Sequence, residues 1–345
     1  MLAFEHQKMM MTGGKQQFVV LGHSKSPFVT AYPWSPAGFG AKYADPAVLP
    51  AGDCYGVDIA LDGKTVVLAH NNAPYVTAYP WSGSGFGTKY ANPASAVPGT
   101  PRGIAFSPAG DAIAVSINNA SPYIVAYPWS GAGFGAKFSN PGTLPPSFAT
   151  GVAFSPAGNA VAMTGDTSPR LVAYPWSGSG FGTKFANPAS LPADACKGVT
   201  FSPAGDAIVV AHNNLPTMAG YPWSGAGYGT KYANPGSAPA GSSGFCVEFS
   251  PVGDVLVVGW NASPYVGAYV WVGGFGAKLA DPATAVSGVV LGIAFSPDGK
   301  AVALAHSNSP YVSAYAWSGS GFGAKYSDPA TLPAGTGNAI KFGEI

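Results

Sequence analysis

Ser121-Pro-Tyr-Ile-Val-Ala-Tyr-Pro-Trp-Ser130 is followed at once by Gly131-Ala-Gly-Phe-Gly-Ala-Lys-Phe-Ser-Asn-Pro141, and together they form a sequence unit that recurs along the chain. Versions of it occur seven times, and each carries one of these tryptophans: Trp34, Trp81, Trp129, Trp176, Trp223, Trp271 and Trp317. By subtraction, they lie 47, 48, 47, 47, 48 and 46 residues apart. Self-similarity at a fixed period of about 20–50 residues is the signature of repeat architectures. The 345 residues therefore predict one closed array of repeats.

Within each unit, short apolar runs alternate with turn signals. In the third copy, Arg102-Gly-Ile-Ala-Phe106 and Ala112-Ile-Ala-Val-Ser116 flank the turn Ser107-Pro-Ala-Gly-Asp111. A third run, Tyr123–Trp129, and a weaker fourth, Phe134–Phe138, follow. Four such runs with no helical stretch between them predict a four-stranded antiparallel sheet. Seven sheets can cover one another's faces around a common axis, so we expect an all-β, seven-bladed β-propeller.

The two ends of the chain supply parts of one blade. Gly337-Asn-Ala-Ile-Lys-Phe342 matches the first strand of a unit, whereas the repeats begin at Gln16 with a second strand. We therefore expect blade 1 to combine the C-terminal strand with three N-terminal strands, which would tie the ring shut. Residues 1–15 are predicted to be an N-terminal tail, and residues 16–345 to form the propeller.

The turn motif and the tryptophan suggest a family. Phe106-Ser-Pro-Ala-Gly-Asp111 recurs at 154–159, 201–206, 249–254 and 295–300, and Leu61-Asp-Gly-Lys64 is taken as a shortened form. This pattern resembles WD40 and YVTN-type β-propeller repeats. It departs from WD40 because the Gly-His pair is missing and Ser mostly follows the Trp, so the WD40 hydrogen-bond network cannot be carried over. The full unit, from Ala-Tyr-Pro-Trp-Ser to Asn-Pro, resembles propeller repeats of tailed-bacteriophage structural proteins.

Composition excludes some partners. Charged residues make up 9% of the chain and the net charge is +1, against roughly 25% charged residues in a typical soluble domain. Such a surface attracts neither nucleic acid nor an anionic membrane, so neither is expected as a partner. The three cysteines, Cys54, Cys196 and Cys246, have no metal-like spacing and are expected to be free thiols. The first residues do not have the pattern of a signal peptide.

Four histidines share one repeat position at the end of the second strand: His23, His70, His212 and His306. The other copies are aligned there with Asn118, Gly165 and Trp260. Neighbouring copies should lie more than about 10 Å apart, too far to share zinc at about 2.1 Å per bond, so no metal site is expected. We expect each histidine to hydrogen-bond a loop carbonyl. They remain binding candidates because the loops after the second and fourth strands carry the variable residues.

Departures from the repeat give further candidates. Arg170 and Thr217 replace the aromatic residue that follows the loop proline in other copies, and Asp166 stands where neighbours have Asn or Ser. Asp166 and Arg170 could form a structural salt bridge or a polar ligand pocket. In the first strand, the residue before the Phe is aligned as Ala60, Ala105, Ala153 and Ala294, but as Thr200, Glu248 and Lys341 elsewhere. Glu248 and Lys341 are therefore candidates for the lining of the central channel.

The sequence contains no catalytic constellation, nucleophile elbow or phosphate loop, so no catalytic residue and no cofactor is predicted. Our leading hypothesis is a non-enzymatic structural or attachment module with protein partners in a larger assembly. We expect it to be a phage virion component, present in the host cytoplasm before assembly. The alternative is a lectin that binds glycans or a host surface. A lactonase-like enzyme ranks lower, because it would need metal-binding acids and amides around the channel mouth, where the sequence offers only scattered candidates. The likeness of the units also permits a designed or recently amplified protein.

Overall fold

The fold is an all-β, seven-bladed propeller, as predicted. A computed structural model describes residues 15–238 and 241–345. Its strands form seven antiparallel sheets. The inner strand of each sheet contacts the inner strands of both neighbours, in a series that closes from the seventh sheet back to the first. We number the blades 1 to 7 in chain order and name the strands of each blade inner, second, third and outer.

The strands have the following bounds. The inner strands of blades 1 to 7 are Gly337–Glu344, Cys54–Ile59, Pro101–Phe106, Ala149–Phe154, Cys196–Phe201, Gly244–Phe249 and Val290–Phe295. The second strands are Gln17–His23, Thr65–His70, Ala112–Ile117, Ala160–Gly165, Ala207–His212, Val255–Trp260 and Ala301–His306. The third strands are Val29–Ser35, Val76–Ser82, Ile124–Ser130, Leu171–Ser177, Met218–Pro222, Val266–Trp271 and Val312–Trp317. The outer strands are Gly38–Phe39, Gly85–Phe86, Gly133–Phe134, Gly180–Phe181, Phe275–Lys278 and Phe322–Lys325.

Blade 5 is the exception to four full strands. Its sheet has three strands, and a single antiparallel bridge between Trp223 and Tyr228 takes the place of the outer strand. The predicted tail at 1–15 lies, except for Lys15, outside the described residues. None of the described residues form a helix with the length and apolarity that crossing a bilayer requires.

The ring closes in blade 1 as the sequence predicts. The C-terminal strand pairs antiparallel with the first strand of the chain, with Val19 opposite Phe342 and Leu21 opposite Ile340. All four side chains are buried, and they belong to the apolar cluster between blades 7 and 1. Blade 1 therefore joins the two ends of the chain through backbone hydrogen bonds and apolar packing, without a covalent link.

The Ser-Pro-x-Gly-Asp motif shapes the turn between the inner and second strands. In blade 3 the Ser107 hydroxyl donates to Asp111 Oδ1 over 2.6 Å and accepts from the backbone N–H of Ala112 at 3.0 Å. Gly110 has a φ of 70°, a conformation that glycine adopts without a steric penalty. The motif therefore fixes the register of the inner hairpin, which in turn positions the residues that face the axis.

Each blade is held to its neighbour by a buried layer. Every residue of the second strands is buried except Gln17 in blade 1. The tyrosine of each Tyr-Pro-Trp motif is also buried, and its hydroxyl reaches back to the preceding loop; Tyr127 donates to the Ser95 carbonyl over 2.8 Å. Apolar clusters of this kind lie between successive blades, so the core is a ring of seven interfaces.

The repeated lysines, expected on the outer strand, lie beyond it in the blades whose outer strand has two residues. Lys42 forms an ion pair with Asp45 at 2.6 Å, and Lys137 donates to Asn140 over 2.7 Å. In blades 6 and 7, Lys278 and Lys325 end the strand itself. The lysine thus closes a turn with an Asp or Asn three residues later, which explains why those two residue types alternate there.

Candidate functional site

The four repeated histidines are structural components of the blades. All four side chains are fully buried, so no ligand can reach them from the loop face. His70 Nε2 lies 2.9 Å from Thr77 Oγ1 on the third strand, and His23 and His306 make the same contact with Thr30 and Ser313 at 3.0 Å. His212 has no hydroxyl opposite it, and its Nδ1 lies 2.8 Å from the Asn213 carbonyl oxygen. His212 therefore has a loop-carbonyl partner at Nδ1, whereas the hydroxyl contacts of the other three are made by Nε2.

Burial also sets how these histidines titrate. It lowers the pKa of His23, His70 and His306 from 6.5 to about 4, and it lowers the pKa of His212 as well. All four are therefore neutral in the folded protein at neutral pH.

The alignment of Asn118 with the histidines is wrong, because blade 3 carries Ile117 at this position, opposite Pro101 at the start of the inner strand. Asn118 lies one residue further along the chain.

Asp166, Arg170 and Thr217 do not form a common site. Asp166 accepts a hydrogen bond from the Ser147 hydroxyl at 2.7 Å, whereas the Arg170 guanidinium donates to the Pro192 carbonyl over 3.0 Å. No Asp166–Arg170 ion pair occurs among the described residues. Thr217 is fully buried in the next blade. The cavity beside Arg170 measures about 10 Å³, too small for an organic ligand. Neither the predicted salt bridge nor the alternative pocket is therefore present.

The central channel contains three charged groups. Lys341 Nζ lies 3.5 Å from Asp58 Oδ1, and the other Asp58 oxygen accepts from the Phe106 backbone N–H at 2.7 Å. Glu248 interacts electrostatically with both. The sequence alignment missed Asp58 because Ile59, not Leu61, takes the place of the repeated Phe in blade 2. The residue at the channel position is therefore Asp58, and Ala60 lies two residues beyond it.

Burial and charge act in opposite directions on Glu248. Burial raises the pKa of the Glu248 carboxyl, Lys341 acts to lower it, and Asp58 acts to raise it. No hydrogen bond to the Glu248 carboxylate occurs among the described residues. Asp58, chiefly, raises the pKa of Lys341, which is therefore a stable cation. The Lys341 side chain is 43% exposed, so water in the channel reaches it. The channel thus combines a cation with a carboxylate that is free to accept a proton.

A ring of seven different residues surrounds the mouth of this channel. Every inner strand has an irregularity next to its first residue, where one residue is left unpaired. Bulged residues are commonly turned towards functional sites. From blade 1 to blade 7 these residues are Asn338, Tyr55, Arg102, Thr150, Lys197, Phe245 and Leu291. Together with Asn118 they line an open cavity of about 330 Å³. We call these seven residues the mouth ring.

The mouth ring has two cations without an anionic partner. Arg102 lies over the Tyr55 ring, with its Cζ 4.2 Å from the ring centroid. Neither Arg102 nor Lys197 forms an ion pair within residues 15–238 and 241–345. Thr150, by contrast, donates to the Cys196 carbonyl over 2.6 Å, and Asn338 donates to the Cys54 carbonyl over 2.9 Å. Arg102 and Lys197 are therefore the side chains free to bind an anion.

A larger groove, of about 670 Å³, lies at the opposite face between blades 2 and 3. Trp81, Tyr90 and Trp129 contribute to its lining. These residues repeat around the ring and pack edge to face across the blades, as Tyr90 does on Trp129 with centroids 5.1 Å apart. The groove is thus a product of blade packing, whereas the mouth ring is where the repeats differ. Within the described part of the chain, no group of three or more His, Cys, Asp or Glu residues is placed to hold a metal ion.

Comparison with known proteins shows the fold. No family model, WD40 models included, matches the chain, and no curated protein matches it either. Among solved structures, it is similar to a Bacteroides fragilis protein provisionally named a 6-phosphogluconolactonase, with a TM-score of 0.76, 12% identity, and coverage of 96% of this chain and 98% of the other. It is also similar to a periplasmic gluconolactonase from Pseudomonas aeruginosa, with a TM-score of 0.74, 14% identity, and coverage of 94% of this chain and 99% of the other. A protein from Lactobacillus plantarum has a TM-score of 0.72 and 14% identity, with coverage of 95% of this chain and 99% of the other.

These similarities correct the function expected from the sequence. The hypothesis of a non-enzymatic attachment module in a phage virion is contradicted, because the similar propellers include ones named as lactonases. The prediction that the chain is not an enzyme is contradicted on the same ground. The resemblance to bacteriophage propellers has no counterpart among these structures, whereas the propeller fold itself is confirmed. At 12–14% identity, the comparisons establish the architecture of this chain.

Proposed function

We propose that the protein is a lactone hydrolase whose active site lies at the mouth ring and in the channel below it. The observation that carries this proposal is the pair of unpartnered cations, Arg102 and Lys197, above a channel that contains a carboxylate and a further cation. The lactonase names of similar propellers support the reaction class. The substrate is an anionic lactone, because two free cations at the entrance favour a phosphate or carboxylate group.

The channel can supply the remaining groups for hydrolysis. Glu248 lies three residues after Phe245 of the mouth along the same strand, a span of about 10 Å. A lactone whose anionic group is held by Arg102 and Lys197 can therefore direct its carbonyl group down the channel. There, Lys341 would stabilise the negative charge that develops on the carbonyl oxygen. Glu248 would act as the general base, since its carboxylate has no competing hydrogen bond.

Glu248 takes a proton from water while the water oxygen forms a bond to the carbonyl carbon, which gives a tetrahedral oxyanion next to Lys341. The ring C–O bond then breaks, and the leaving alkoxide takes the proton back from Glu248. One lactone and one water thus yield one open-chain hydroxy acid, and the enzyme returns to its initial state.

The test is hydrolysis of 6-phosphogluconolactone and gluconolactone, followed by acid release in a pH-stat and corrected for the spontaneous reaction. We expect hydrolysis above the buffer rate. Glu248→Gln should lower kcat by about 10²-fold or more, the usual contribution of a general base. Lys197→Gln should raise KM for the phosphorylated lactone. Lys137→Gln removes an equal charge at the outer edge of blade 3, and should change neither constant. No acceleration by the folded wild-type protein of either sugar lactone, or of an anionic lactone with an aryl body, would overturn the proposal.

A further inference from the structure

The mouth ring contains a charged arc and an apolar arc. Arg102, Thr150 and Lys197 come from the consecutive blades 3, 4 and 5, whereas Phe245 and Leu291 come from blades 6 and 7. Phe245 and Leu291 are both partly exposed and line the cavity. Since the blades follow one another around the axis, the charged arc and the apolar arc occupy different sides of a single cavity. A ligand bound there meets both surfaces at once.

The ring offers little to a ligand rich in hydroxyl groups. The Thr150 hydroxyl and one N–H of the Asn338 amide are already used to tie neighbouring blades together. The Tyr55 ring is covered on one face by Arg102. Sugar hydroxyls placed against Phe245 or Leu291 would lose their water without gaining a partner, which is unfavourable. An alkyl or aryl group in the same place gains free energy from the apolar area it buries.

The size of the cavity limits the ligand. Its volume of about 330 Å³ is equivalent to about eleven water molecules at about 30 Å³ each. A small anion with one ring or a short chain therefore fills it. Charged groups at one side and an apolar wall at the other are the arrangement by which pockets fix the orientation of a ligand.

Building on the function proposed above, we propose that the substrate of this site is an amphiphilic anion, with a phosphate or carboxylate group and an alkyl or aryl body, and not a hydroxylated sugar. Arg102 and Lys197 hold its anionic group, and Phe245 and Leu291 contact its body. The lactone preferred by this chain therefore differs from the sugar lactones in the names of the similar propellers.

The test compares two phosphate monoesters that differ in the body, phenyl phosphate and glucose 6-phosphate, by isothermal titration calorimetry. We expect phenyl phosphate to bind at least tenfold more tightly to the wild-type protein. Tenfold corresponds to about 1.4 kcal/mol. Phe245→Ala and Leu291→Ala should each reduce this preference several-fold. Leu61→Ala, at a side chain 81% exposed in the turn between the inner and second strands of blade 2, should leave it unchanged. Lys197→Gln should weaken the binding of both probes by a similar factor.

Several outcomes would overturn the inference. They are equal or tighter binding of glucose 6-phosphate, binding of neither probe, and an unchanged preference in both Phe245→Ala and Leu291→Ala. Neither probe contains a lactone, so the binding result does not depend on turnover. Tighter binding of glucose 6-phosphate together with lactone hydrolysis would refute the amphiphilic substrate alone. Tighter binding of phenyl phosphate without hydrolysis of any lactone would refute the proposed reaction alone.

Discussion

Acidification should unfold this protein through its buried histidines. In His23, His70 and His306, burial lowers the pKa from 6.5 in the unfolded chain to about 4 in the folded protein. Between these two values the unfolded state binds protons that the folded state does not. The free energy of unfolding should therefore fall as the pH is lowered from about 6.5 to about 4. Above about pH 7.5 the histidines are almost entirely neutral in both states and contribute no pH dependence.

The size of the effect follows from the shift. A difference of about 2.5 pKa units (6.5 − 4) is equivalent to about 3 kcal/mol for each histidine, at 1.36 kcal/mol per unit. Three histidines together give about 10 kcal/mol, and His212 adds to this in the same direction. Domains are typically stable by about 5–15 kcal/mol. The histidines alone are therefore sufficient to bring the protein close to unfolding near pH 4.

Urea titrations followed by tryptophan fluorescence, at pH values from 4.5 to 8, measure this dependence. The informative variant is His306→Gln, because glutamine can still hydrogen-bond Ser313 but does not titrate. Its free energy of unfolding should depend less steeply on pH below about 6, by up to 1.4 kcal/mol per pH unit. Between about pH 7.5 and 8, neither protein should show a histidine-dependent slope. Identical slopes for the two proteins below pH 6 would refute the assignment of acid sensitivity to these side chains.

Three further predictions concern the ring and the channel. Deletion of residues 337–345 removes the inner strand of blade 1, and should replace one cooperative thermal transition by a broad one; an unchanged melting curve would count against closure. Gly267→Thr places a Cβ 2.3 Å from the Trp260 ring and should lower the free energy of unfolding by about 1–3 kcal/mol. Adding Trp260→His should restore this stability in the double variant, because it recreates the His–Thr pair of other blades. Lys341→Met should raise the pKa of Glu248 further, seen as a shift to higher pH in its carboxyl resonance by NMR; no shift would contradict the electrostatic link between them.

Much of the fold could be predicted from the repeat, because blade packing needs the same residues seven times. The Trp spacing gave the number of blades, and Gly337–Phe342 indicated the closing strand. The outer strands were less predictable. They hold two residues in blades 1 to 4 and a single bridge in blade 5, because Gly-rich segments at the edge contribute little to the sheet.

Errors in the site came from aligning the repeats by residue type. Leu61 was matched to the repeated Phe, which placed Ala60 at the channel position and concealed Asp58. Asn118 was matched to the histidines, where the pairing of the strands places Ile117. In both cases an apolar residue of different shape takes the place of the expected one, and this substitution is evident only once the register of the sheet is known.

The mouth ring was missed although the sequence contains a signal for it. Tyr55, Arg102, Thr150, Lys197, Phe245, Leu291 and Asn338 are seven different residues at one position of an otherwise uniform repeat. Repeated residues maintain the packing that the blades share, so a position that differs in every copy is not fixed by that shared packing. That these residues converge on one cavity follows from the bulge in each inner strand, which the sequence pattern does not reveal.

We expect the axial mouth to bind the ligand through Arg102 and Lys197. A crystal structure of the protein soaked with phenyl phosphate tests it most directly. We expect density for the phosphate at about 2.7–2.9 Å from Lys197 Nζ and the Arg102 guanidinium, with the phenyl ring against Phe245 and Leu291. Phosphate density in the groove between blades 2 and 3, with the mouth free of ligand, would contradict it.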